Sequence, residues 1–109
     1  MPSKAVVEAA ICSHYTEVLA KRIGEDRVSI EIRSDCPNVA TYADMLQHAD
    51  VKDLTEWEGN RILELAGKAG LTTTCLVPTA IFNCAFIELG MMSKSLVREK
   101  GPLCIHFVE

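Results

Sequence analysis

The chain contains no Cys-x-x-Cys pair, no glycine-rich phosphate loop, no Gly-x-Ser-x-Gly elbow and no His-Glu-x-x-His. None of the chemistries that those motifs carry is therefore expected. No run approaches the roughly 18 uninterrupted apolar residues of a membrane span. Met1-Pro2-Ser3-Lys4 leads into a short alternating segment rather than a signal-peptide core. The expectation is a cytoplasmic protein with no membrane partner. No cluster of lysine and arginine exceeds two adjacent residues, and the net charge is −4 with a pI near 5.3. Phosphate backbones need the opposite surface, so nucleic acid is not an expected partner. Internal repeats, low-complexity tracts and linkers are missing too.

What is present suits one compact unit. At 109 residues the length predicts a single α+β domain over 1–109, which buries roughly two thirds of its extended surface without staples. Apolar residues make up 49% and charged residues 24%, which argues against long disorder. Lys4 to Ile11 and Thr16 to Ile23 read as two strands. After the turn Gly24-Glu25-Asp26-Arg27, a third run places Val28, Ile30 and Ile32 on one side and Ser29, Glu31 and Arg33 on the other. An antiparallel meander with one wet face follows.

From Pro37 the period becomes helical, through Val39, Tyr42, Ala43 and Leu46. A second helix is predicted from Asp53 to Gly70, with Asp53 and Glu56 at capping-box spacing and Leu54, Trp57, Ile62, Leu65 and Ala69 as its stripe. A third runs from Pro78 to Gly90. Lys94 to Lys100 reads as a polar connection, and Leu103 to Val108 as a last strand after Gly101-Pro102. The predicted fold is a two-layer antiparallel sheet, in sequence order βββαααβ, with its helices on one face.

Five cysteines is an odd number, and in a reducing compartment thiols or ligands are expected rather than disulfides. Cys12 ends the first extended run, Cys36 lies in the turn Ser34-Asp35-Cys36-Pro37, and Cys75 precedes the Pro78 helix. Turns of this kind place thiols at one end of a layered domain. At a helix start Cys36 faces unpaired N–H groups and the positive end of the dipole, which favours its thiolate. A plainer alternative is that Ser34 or Asp35 caps the helix and Cys36 is incidental. His14 follows Cys12 in a Cys-x-His pair, and Asp35 offers a hard oxygen. Cys84 lies on the stripe of the third helix and reads as core. Cys104 and His106 share one side of the last strand, and His48 reads as a solvated helix end.

The run Ile32-Arg33-Ser34-Asp35-Cys36-Pro37-Asn38-Val39, with Cys12 upstream and Cys75-Leu76-Val77-Pro78 downstream, resembles a family of short, uncharacterised, cysteine-containing proteins of anaerobic microbes. That resemblance covers nearly the whole chain and implies no activity. The layout of Cys12, Cys36 and Cys75 is more distantly similar to that of the IscU/NifU-type iron–sulfur scaffold proteins. Those have a three-stranded meander followed by helices and three ligand cysteines at corresponding places. Where they have an aspartate after the first cysteine and a histidine before the third, this chain has His14 and Thr74.

Three functions are expected in order. The first is a small metal-binding or iron–sulfur-binding protein, with no catalytic residue assigned. It would hold zinc or a cluster through Cys12, Cys36 and Cys75, with His14 or Asp35 as a fourth ligand. The second is a thiol- or persulfide-handling protein with Cys36 as nucleophile. The third is a metal-free interaction module, a homodimer through its last strand or the sheet's open face.

Overall fold

The computed structural model describes residues 2–9 and 11–109; Ala10, within the first predicted strand, lies outside them. Three strands, β1 (Ser3–Ala9), β2 (His14–Arg22) and β3 (Arg27–Ser34), form the expected meander. In register, Val18 lies opposite Ile32 and Ala20 opposite Ile30. These side chains are buried, as is Thr16. The alternate positions carry Lys4, Glu17, Glu31 and Arg33, where Lys4 Nζ meets Glu17 Oε1 at 3.2 Å and Arg33 meets Glu31 at 3.2 Å. Period two therefore separates a dry face from a wet one.

The dry face is covered by helices. Helix α1 (Pro37–Met45) packs on β3 and brings Val39, Tyr42 and Leu46 into the core. A short fourth strand, β4 (His48–Asp50), then pairs antiparallel with β3, with Val28 opposite Ala49. Helices α2 (Val51–Thr55) and α3 (Arg61–Lys68) follow, then α4 (Val77–Glu88), which crosses β1, β2 and β3, and α5 (Lys94–Lys100). The protein is α+β, with a four-stranded antiparallel sheet in the order β1-β2-β3-β4 and five helices.

The order differs from βββαααβ in four places, each with a local cause. His48 belongs to β4 rather than to a helix end. The long second helix is two, because Gly59 takes a positive φ of 68° and Asn60 opens a new helix, its Oδ1 accepting from Leu63 N at 2.8 Å. Trp57 sits in this break, 89% exposed instead of on the apolar stripe. Residues 94–100 are helical rather than a connection, since Ser93 Oγ accepts from Leu96 N at 3.2 Å. Residues 101–109 have no regular structure, so the predicted last strand is absent.

The helix stops are where glycine put them. At Gly70 (φ 85°), Leu71 N donates to Ala66 O at 3.0 Å and Gly70 N to Gly67 O at 3.1 Å, satisfying carbonyls that the helix end leaves open. Gly90 closes α4 with the same pair of bonds, Met91 N to Phe86 O and Gly90 N to Ile87 O.

Candidate functional site, a thiol-bearing end of the sheet

Three junctions meet at one end of the two layers: the β1–β2 turn, the β3–α1 junction and the loop entering α4. Each carries a cysteine. The first two are tied together by Asp35. Its N–H donates to Tyr15 O at 3.4 Å, and its Oδ1 accepts from Tyr15 N at 3.1 Å and from His14 Nδ1 at 2.9 Å. The Tyr15 N–H is the largest influence holding the Asp35 carboxyl below its ordinary range, and the His14 bond adds to it. Asp35 thus belongs to the hairpin and not to the helix. Ser34 does not cap α1 either, because its Oγ accepts from Cys36 N at 3.1 Å and is bonded to Thr16 Oγ1 at 2.7 Å.

Cys36 is left as the N-cap residue of α1, in extended backbone and with no side-chain cap bond. It is half-buried and packs against the core. Of the two alternatives for this turn, the geometry leaves the thiol, and not a neighbouring oxygen, at the mouth of the helix.

Cys75 is the second half-buried thiol and also packs on the core. Burial pushes it above its ordinary range, and a hydrogen bond from the Val77 N–H, at the first residue of α4, pulls it back. Negative charge at Cys36 and at Cys12 raises it further. Cys36 and Cys12 are therefore each within electrostatic reach of Cys75, although they come from positions far apart in the sequence. Tyr42 lies within electrostatic reach of Cys75. Its hydroxyl donates to Ile62 O at 2.8 Å, and burial together with the charge of Cys75 keeps the phenol neutral.

Cys12 is exposed in the β1–β2 turn, where Ile11 and Ser13 are exposed as well and Ser13 has a φ of 59°. Gathered is not the same as chelating. Among the described residues no group of three or more His, Cys, Asp or Glu side chains stands in position to hold a metal ion. Cys12, Cys36, Cys75, His14 and Asp35 share one end of the molecule, and of these His14 and Asp35 are in direct contact.

The other thiols lie elsewhere. Cys84 is buried on α4, its Sγ 4.0 Å from Val18 O, and burial with the nearby Glu88 pushes it up to about 11. Cys104 and His106 are exposed in the C-terminal segment. Sequence reasoning placed Tyr42 on the helix stripe and missed its proximity to Cys75. The available signal was a hydroxyl inside an otherwise apolar stripe that begins at Cys36.

Residues 3–99 match a family of unknown function, DUF6951. The chain belongs to DUF6951. No curated protein and no solved structure matches it. The expected kinship with an uncharacterised family thus holds, and nothing supports the IscU/NifU likeness. The match takes in the whole thiol-bearing end of this DUF6951 domain, including Cys12, Cys36 and Cys75, and ends before the C-terminal segment. Among the described residues no helix is long and apolar enough to cross a membrane.

Proposed function

We propose that this DUF6951 domain binds a thiophilic metal, a zinc ion or an iron–sulfur cluster, through the thiolates of Cys12, Cys36 and Cys75, with His14 or Asp35 as a fourth donor. One observation carries the reading: three separate junctions bring their thiols to one end of the domain, with Cys12 and Cys36 both close enough for their charge to act on Cys75. Metal binding to thiols releases their protons, because the thiolate is the ligand. Cys12 rides on an exposed turn. Burial raises Cys75 above its ordinary range, and the N–H of Val77 offsets part of that rise.

The test is native mass spectrometry of protein purified without oxygen, before and after exposure to zinc and to ferrous iron with sulfide. The expected result is one ion or one cluster per chain, lost when Cys36 and Cys75 are both changed to Ser. A chain that takes up neither under either condition overturns the reading.

A second reading has its own observation. Cys36 occupies an N-cap position that no side chain satisfies, a setting that activates a thiol as a nucleophile. In this reading Cys36 accepts a persulfide or attacks an electrophile, and Cys75 is its neighbour.

A further inference from the structure

The C-terminal segment is the part of the molecule that the fold leaves unused. Helix α5 buries none of its residues. Beyond it, residues 101–109 are exposed throughout, with Leu103, Ile105 and Phe107 at 76%, 65% and 79%. Those three alternate with Cys104, His106 and Val108, which is the pattern of a strand lying on an apolar layer. Apolar side chains in that number and order are rarely left in water.

The sheet offers a place of the matching kind. Its β4 edge is 3 residues long, too short to hold such a segment. The outer edge of β1 is 7 residues long, contains no proline, and among the described residues pairs with nothing on that side. An open edge of this length presents unpaired N–H and C=O groups to any strand that fits it.

We infer that residues 103–108 add as a strand to the outer edge of β1 in a second copy of the chain, the two copies exchanging segments reciprocally. One chain carries both the open edge and the strand that fits it, so every molecule offers both halves of the contact. Reciprocal exchange satisfies both and closes at two copies. Within one chain residues 101–109 are exposed throughout and lie on no edge of the sheet, which leaves the edge of a second copy to receive them. Every pair in this sheet is antiparallel, and the added strand is expected to follow suit. Leu103, Ile105 and Phe107 then extend the helix-covered face beyond Ala5 and Val7, which already pack on the core.

Sedimentation velocity across the micromolar range tests this, together with amide hydrogen exchange. The full chain is expected at twice 12.0 kDa, with residues 103–108 and the outer amides of β1 protected together. In the full chain carrying Ile105→Glu and Phe107→Glu, self-association weakens by at least about a hundredfold, and both protections are lost. Protection of β2 and β3 stays as in the parent, which shows that the domain still folds. A monomeric parent overturns the inference whether its C-terminal segment is protected, as by its own edge, or unprotected. So does a dimer that survives the double change.

Discussion

Cys84 and Cys36 are chemically the same group in opposite settings, and their difference is measurable. Cys84 is 2% exposed within the core, and Cys36 is half-buried at the open start of α1. Timed alkylation with peptide mapping at neutral pH is expected to label Cys36 well ahead of Cys84. Equal rates at the two would remove the activated-thiol reading. Cys84 also makes stability depend on pH. Its folded value is raised from 9.0 to about 11, so the unfolded chain ionises first as the pH climbs. The stability contributed by the neutral thiol is whole below pH 9 and is lost between 9 and about 11, a cost of roughly 2–3 kcal/mol. Urea midpoints measured over that window are expected to fall less steeply for Cys84→Ala than for the parent chain.

The break between α2 and α3 depends on one carboxylate. Asp53, 7% exposed, accepts from Asp50 N at 3.1 Å through one oxygen and from Arg61 N at 3.2 Å through the other, so it fixes the starts of two successive helices. Removing it leaves two N–H groups unpaired near the core. Asp53→Ala is expected to cost about 2–3 kcal/mol in denaturant unfolding, and a change below a few tenths would show that the junction is held by other contacts. Here the sequence pattern was partly legible. Asp53 belongs to a capping box as its spacing suggests, but the helix starts at Val51 and not at Asp53: Asp50 is the N-cap, and Asp53 is the third residue, accepting from Asp50 N, with Glu56 taking no part. The apolar stripe runs through Leu54 and Ile62 as if the helix were continuous, and it hides the turn at Gly59-Asn60. Elsewhere, β3 is plain because its alternation is uninterrupted, and Gly70 and Gly90 announce the two stops that they make. β4 is too short for any period to register; its partner residues Val28 and Ser29 create it. The alternation of residues 103–108 misleads for a different reason, because it records what the segment can pair with and not whether the segment lies on an edge of its own chain. At the thiol-bearing end, the turn positions of Cys12, Cys36 and Cys75 are visible from sequence. The Val77 N–H and the Tyr42 hydroxyl are not, since burial and backbone direction arise only in the folded chain.

Across the molecule, the two layers divide the work. The helix-covered face supplies the core, while the opposite face is a lattice of charges such as Lys4 with Glu17 and Arg33 with Glu31. Exposed pairs of this kind add little stability and keep that face in water. What remains are two unspent features at different places: sulfurs gathered at the turns, and an apolar strand beside an open edge. The dimer expected from the second does not depend on metal, and it should persist when Cys12, Cys36 and Cys75 are all changed to Ser. The account rests chiefly on the first feature, and the most direct test is the X-ray absorption spectrum of the zinc-loaded protein. Three sulfur neighbours at about 2.3 Å, with one lighter atom, are predicted for a site built from Cys12, Cys36 and Cys75. A shell of nitrogen and oxygen alone at about 2.0–2.1 Å would contradict it.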